Sequence, residues 1–146
     1  MKTLVAYVVE DNPTVLSNLI ETLNEIAHVQ VTAHAATQSE ASQWLERQHG
    51  NWHLAIVDLF LKQGTGFGVL AACRNRQSHQ KMVLLTNYAT PEIRLRSAAL
   101  GADAVFDKST ELDGLLLYCI KQTNKFMQEH GQETQRNVVS PQRPLN

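Results

Sequence analysis

The sequence predicts an α/β fold: a doubly wound parallel sheet of five strands, with helices packed on both faces. Three observations carry this. Five short β-rich runs alternate with helical patterns along the chain. Two of those runs, Leu4–Val9 and Leu54–Val57, are apolar without a break, as strands buried on both faces must be. At 146 residues, with 43% apolar and 18% charged side chains, the chain is long and apolar enough for one domain with a real core.

Each element has its own signal. The first strand, Leu4–Val9, runs into Asn12-Pro13, an N-cap and a first-turn proline. Leu16, Leu19, Ile20, Leu23 and Ile26 then follow at helical spacing. Val29–Ala35 is a second strand, more polar and so nearer an edge. Thr37-Gln-Ser-Glu40 reads as a capping box opening a helix with Ala41, Trp44 and Leu45 inward, closed by Gly50. The third strand, from Leu54, stays apolar until Asp58. "KQGTGFG", Lys62 to Gly68, is a loop with turn glycines, leading to a helix with Phe67, Leu70 and Ala71 inward. Met82–Thr86 is the fourth strand, Thr90-Pro91-Glu92 starts a helix that Gly101 ends, and Ala104–Asp107 is the fifth strand. The last helix carries the cleanest apolar stripe, Leu112, Leu115, Leu116, Cys119, Ile120, Thr123, Phe126 and Met127.

Composition narrows the function classes. A net charge of −1, from 13 basic and 14 acidic residues, gives no basic surplus for nucleic acid or anionic membrane. The N-terminal apolar run is too short for a signal-peptide core or a membrane span, so the expected place is the cytoplasm. Cys73 and Cys119 lie far apart in helical patterns and read as small core residues, not a disulfide or metal pair. The six histidines, at 28, 34, 49, 53, 79 and 130, show no metal-ligand spacing. Trp44 and Trp52 read as packing residues.

The strand endings are the informative places. In parallel α/β sheets the ligand site lies beyond the carboxyl ends of the strands. Here those ends carry Glu10-Asp11, Asp58, Thr86 and Lys108. Singly, each has an ordinary reading as a residue favouring a helix dipole, a cap or a solvated lysine. Jointly they place three carboxylates, a hydroxyl and an ammonium on one edge. Three carboxylates repel and resist leaving water, so they invite a hard cation, and Mg²⁺ suits a few carboxylates with water and phosphate oxygens. Such a cation keeps one carboxylate ionised as a nucleophile. Asp58 as phosphoryl acceptor, Glu10 and Asp11 at Mg²⁺, and Thr86 and Lys108 on phosphoryl oxygens form a complete phosphoryl-transfer set.

On these five residues, in order at four strand ends, the sequence resembles the response-regulator receiver domain. The runs "GTGFGVL" after Asp58 and "ALGAD", Ala99 to Asp103, fit as well, and the resemblance covers about residues 3–128. It implies a flavodoxin-like sheet of order 2-1-3-4-5 with five helices. It also implies a phosphoryl group taken from a phosphohistidine of a sensor histidine kinase or a histidine phosphotransfer protein. Asp58 would be phosphorylated, and Asp11, Asp58 and the backbone carbonyl of Phe60 would bind Mg²⁺ directly, with Glu10 acting through water. Thr86 and Lys108 would contact the phosphoryl group. Chemistry beyond the domain's own phosphorylation and dephosphorylation is not implied. The chain departs from the family at Lys62 and Ser109, where proline is common. It departs also at Asn87, often alanine or glycine, and at Val105, usually aromatic. Serine at 109 disfavours a cis bond after Lys108, since a non-proline cis peptide costs roughly 2.5–4 kcal/mol.

Residues 1–130 are thus expected to form the receiver and 131–146 a flexible polar tail. The tail is too short for a DNA-binding or enzymatic output domain. The expected output is contact with a downstream protein, without direct nucleic-acid or membrane binding. A receiver piece of a longer regulator and an unphosphorylated interaction module on the same fold are the alternatives. A flavodoxin-like cofactor enzyme is disfavoured because Glu10-Asp11-Asn12-Pro13 stands where a phosphate-binding loop would be. Valine is stiff and small, so the moving element of a switch is expected at the Asn87–Pro91 loop and Tyr88 rather than at Val105. Arg94 and Arg96 are expected to form a basic patch on the helix that follows.

Overall fold

The computed structural model describes residues 3–139, with side chains over 3–130. Strands and helices alternate strictly: β1 (Leu4–Val9), α1 (Pro13–Ile26), β2 (Val29–Ala35), α2 (Gln38–Arg47), β3 (Leu54–Asp58), α3 (Gly66–Ala72), β4 (Lys81–Thr86), α4 (Pro91–Ala99), β5 (Ala104–Asp107) and α5 (Leu112–Val139). The five strands are parallel in the order β2-β1-β3-β4-β5, which puts the polar β2 at an edge as expected. Register keeps the carboxyl ends level, with Val9 opposite Val57, Asp58 opposite Leu85 and Thr86 opposite Asp107.

Strand alternation sorts the apolar side chains into two cores. Leu4, Ala6 and Val8 of β1, Leu54 and Ile56 of β3, and Val83 and Leu85 of β4 face α1 and α5. Tyr7 and Val9, Ala55 and Val57, and Met82 and Leu84 face α2 and α3, with Ile93 of α4 packed alongside. Trp52 is buried in that second core, and Trp44 stacks on Tyr7 with ring centroids 4.1 Å apart. Both cysteines are free. At each face burial of unbroken strands supplies the driving force, about 25 cal/mol per Å² of apolar surface.

The helix starts follow their caps. Asn12 Oδ1 accepts from Thr14 and Val15 N–H, Thr37 Oγ1 from Glu40 N–H, and Thr90 Oγ1 from Ile93 N–H. The inward faces differ from expectation at the helix ends. Ile26 and Leu112, in the last turn of α1 and the first turn of α5, are exposed. In α3 Val69 is buried and Ala71 exposed, since two turns are too few for the periodicity to fix the phase. Gly64 makes a turn at φ 79°, but Gly66 and Gly68 lie inside α3 and are not turn residues. The last helix is continuous to Val139, so the backbone of 131–139 extends α5 where a polar tail is expected from Gly131. The remaining tail expectation, for 140–146, lies outside the described residues. No cis peptide occurs among the described residues, so the Lys108–Ser109 bond is trans.

At the amino ends of the strands the fold gathers three histidines that sequence spacing did not connect. His53 lies 6.1 Å from His79 and 4.6 Å from Phe126, which stacks on His130. His53 Nδ1 accepts the Val5 N–H at 2.9 Å, so its ring completes the sheet edge only when that nitrogen is unprotonated. Burial, then the neighbouring His79 and His130, hold the His53 pKa below its usual 6.5. A histidine pKa lowered in the fold contributes stability that is present above 6.5 and is lost as pH falls through the folded value. Urea midpoints are therefore expected to decline below 6.5 in the native chain, and His53→Gln should flatten that decline.

Candidate functional site

The site forms where β1, β3 and β5 come to the surface. Glu10 follows β1 and its N–H still donates to Ala35 O at 2.9 Å, so strand pairing carries its side chain into the interior, 4% exposed. Asp11, one residue on, is exposed. Asn12 has two tasks: its side chain caps α1, and its N–H donates to Glu10 Oε2 at 3.1 Å. Asp58 ends β3, 8% exposed. Lys108 follows β5, its N–H donating to Thr86 O at 2.9 Å, which fixes the direction of its side chain. On either side of it, Asp107 Oδ1 accepts from Ser109 N–H at 2.8 Å and Ser109 hydroxyl at 2.7 Å, a local turn that uses the serine found in place of proline.

These elements bring the expected residues together. Lys108 Nζ donates to Glu10 Oε1 at 2.7 Å and to Asp58 Oδ2 at 2.9 Å. One carboxylate oxygen each from Glu10, Asp11 and Asp58 lies within 4.8 Å of the others, the one group of three acidic, histidine or cysteine side chains among the described residues able to share a metal ion. Three carboxylates against one ammonium leave two negative charges uncompensated, and the donors are hard oxygens. The set therefore fits a hard divalent cation. No histidine joins it.

The charges bear the strain unequally. Burial, with Glu10 beside it, pushes the Asp58 carboxyl up to about 6 despite Lys108. Burial also pushes Glu10 up, but the Lys108 ammonium and Asn12 N–H outweigh it and hold Glu10 below the usual carboxylate range. Burial disfavours the Lys108 cation, and its two carboxylate partners more than offset this, raising its pKa.

The remaining expected residues sit nearby with different exposures. Thr86 is fully buried, and its Oγ1 accepts the Tyr88 N–H at 3.1 Å. Phe60 bridges to Thr65 through the backbone, and its ring is exposed. Tyr88 meets that ring edge-on at 5.4 Å and is likewise exposed. This aromatic pair, two residues past Asp58 and two past Thr86, was not singled out from sequence as a pair. Nor was the groove of about 600 Å³ between α1 and α5, which adjoins the acids and includes Val15, Asn18 and Leu112. The two arginines expected as a basic patch at α4 both have partners, Arg96 being exposed and Arg94 half-buried. Arg94 turns back to donate to Ala89 O at 3.1 Å and Val105 O at 3.0 Å and pairs with Glu111, and Arg96 lies over the Phe67 ring.

The raised Asp58 pKa has a signed consequence. An acid whose folded pKa exceeds its ordinary 3.8 favours the fold at low pH and loses that contribution as pH rises to about 6. In a chelator at about pH 7.5, Asp58→Asn is expected to stabilise the chain by about 1–3 kcal/mol, with the gain gone by about pH 4. Mg²⁺ should close the gap by stabilising the native chain. Urea denaturation with and without the metal measures each of these shifts.

A family model, the response regulator receiver domain, matches residues 6–119. The acid tolerance regulatory protein ActR of Rhizobium meliloti is 31% identical over 67 residues, 46% of this chain and 34% of that protein. The match thus spans about a third of that relative's length. The response regulator domain of Thermotoga maritima CheB superposes with a TM-score of 0.71 at 14% identity, over 84% of this chain and 96% of that one. The BeF3-activated receiver domain of Klebsiella pneumoniae RstA gives 0.68 at 23%, over 78% and 93%. At such identities these two structures establish the fold alone. The match across residues 6–119 decides membership: the chain belongs to the response regulator receiver family, the signalling receivers of two-component systems.

Proposed function

We propose that this receiver takes a phosphoryl group from a phosphohistidine onto Asp58. The observation that carries the reading is the Lys108 ammonium shared between Asp58 and Glu10, with Asp11 completing an oxygen cluster fit for Mg²⁺. In the transfer an Asp58 oxygen bonds to phosphorus, the phosphorus–nitrogen bond breaks, and the imidazole nitrogen takes up a proton. Mg²⁺, held by Glu10, Asp11, Asp58 and the Phe60 carbonyl, would neutralise charge on the acids and the transferred group. Lys108 stands ready to exchange one carboxylate partner for a phosphoryl oxygen, and Thr86 to turn its hydroxyl toward another.

The phosphohistidine donor, a sensor kinase or a phosphotransfer protein, would seat its helix in the groove of Val15, Asn18 and Leu112 beside Asp58. Output would pass through contact with a downstream protein in the cytoplasm, the chain acting as a signal carrier rather than an enzyme on other substrates. No helix among the described residues is long and apolar enough to cross a membrane.

Incubation with acetyl phosphate and Mg²⁺, read by intact mass, is expected to give a single phosphoryl adduct that Asp58→Asn abolishes and Lys108→Ala reduces at least tenfold, on the order expected for losing one charge-stabilising group. An adduct that persists in Asp58→Asn would defeat the assignment.

The switch follows from the same geometry. A Thr86 hydroxyl drawn to the phosphoryl group abandons the Tyr88 N–H, while Val105 is held through its carbonyl by Arg94. With beryllofluoride, NMR shifts should concentrate at Asn87–Pro91 and the Tyr88 ring. Large shifts at Val105 with none at Tyr88 would overturn this.

A further inference from the structure

The segment directly after Asp58 is tied to the start of α2 by two glutamines, its own Gln63 and Gln38 of the helix. Leu59 O accepts the Gly66 N–H at 2.8 Å, and Phe60 bridges to Thr65, so residues 59–66 close on themselves at the base. Their tip, Lys62 to Gly64, is exposed and has no core contact of its own among the buried clusters. The tip is tied instead to the start of α2. Gln63 O accepts the Gln38 N–H at 2.8 Å and Gln63 Oε1 accepts the Ser39 N–H at 3.2 Å, which satisfies two of the helix's orphan donors. In return Gln38 Oε1 accepts the Thr65 N–H at 3.0 Å.

Two glycines make room for this exchange. A Cβ on Gly64 would lie 2.4 Å from Gln38 Cβ, and one on Gly68 would lie 2.2 Å from Gln38 Cδ. The Gln38 side chain therefore fills a slot that a side chain at either position would close.

We infer that Gln38 is a positioning residue for the metal: by holding Thr65, and through the Phe60–Thr65 bridge the backbone of Phe60, it presets the Phe60 carbonyl for Mg²⁺. This rests on the reading of Glu10, Asp11, Asp58 and the Phe60 carbonyl as the metal site. A ligand supplied by a loop binds tightly only where the loop is ordered beforehand, since ordering on binding subtracts from affinity. Side chains carry the other ligands and strand ends fix them, so the loop carbonyl is the one whose position Gln38 can set.

A role confined to capping α2 makes a different forecast, and two variants separate the two. Gln38→Leu removes the acceptor for Thr65. Gly68→Ala evicts the Gln38 amide while replacing a helical glycine with the best helix former, so it supports α3 as it breaks the tie. The full chain, unphosphorylated, is titrated with Mg²⁺ alone by calorimetry, and each variant's melting temperature is taken in chelator. Both variants are expected to weaken Mg²⁺ roughly three- to tenfold, the scale of one lost supporting hydrogen bond, with Gly68→Ala melting no lower than the native chain. In acetyl phosphate assays the Mg²⁺ concentration for half-maximal rate should rise by the same factor, with the rate at saturating Mg²⁺ unchanged. Native-like Mg²⁺ affinity in Gly68→Ala would overturn the inference while leaving the metal site intact. Absence of saturable Mg²⁺ binding in the native chain would instead remove the metal reading and this inference with it.

Discussion

One ammonium group makes the carboxyl edge of this sheet possible. Glu10 and Asp58 are both buried and both acidic, and without Lys108 between them neither would keep its charge at so dry a place. The pairing does not balance the site, because Asp11 joins the same oxygen cluster and the excess remains negative. An edge so arranged is stable enough to fold and unsatisfied enough to bind. Its excess charge calls for a cation, and the lysine, already in place, can serve whichever oxygen carries more charge.

Everything that fixes this ammonium is backbone geometry. Lys108 is aimed by its N–H to Thr86 O, Glu10 by its N–H to Ala35 O and by the Asn12 cap, and Asp58 by the level register of β3 against β4. Those bonds hold because the strands are buried on both faces by two separate apolar cores. The site thus depends on side chains that never approach it. Ala6, Ile56 and Val83 matter to the chemistry only by keeping three strand ends at one height.

That dependence explains what was legible in the sequence. Strand ends are local features: an apolar run that stops at Asp58, or at Glu10-Asp11, announces both the strand and the residue it delivers. Strand boundaries, and the residues that those strand ends carry, could be read in this way. What depended on distant partners could not. Arg94 looks like a surface cation until Glu111 and the carbonyls of Ala89 and Val105 surround it. Gln38 and Gln63, 25 positions apart in the chain, are unremarkable polar residues until two loops meet. Val69 and Ala71 differ in burial because a helix of seven residues has too few turns to reveal its phase.

The same distinction bears on how a signal could leave the site. Thr86 sits between two commitments: its carbonyl serves Lys108 N–H, and its hydroxyl serves Tyr88 N–H. The first belongs to the sheet and resists change. The second is a single hydrogen bond at the edge of a loop, worth about 1 kcal/mol net, and a Thr86 rotation that brings its O–H to a charged phosphoryl oxygen, a bond of roughly twice that strength, carries Oγ1 away from the Tyr88 N–H. Of the two, the loop bond yields. Beyond it the Tyr88 carbonyl accepts the Thr90 N–H at 2.8 Å within the same loop, and Arg94 ties Ala89 to β5 and to Glu111, which also accepts the Asp107 N–H. Motion is therefore expected in the few residues of the Asn87–Pro91 loop. Tyr88, exposed and leaning on Phe60, is the largest side chain among them. A valine on β5 need not move for the surface to change, because the aromatic that changes it is carried by the loop.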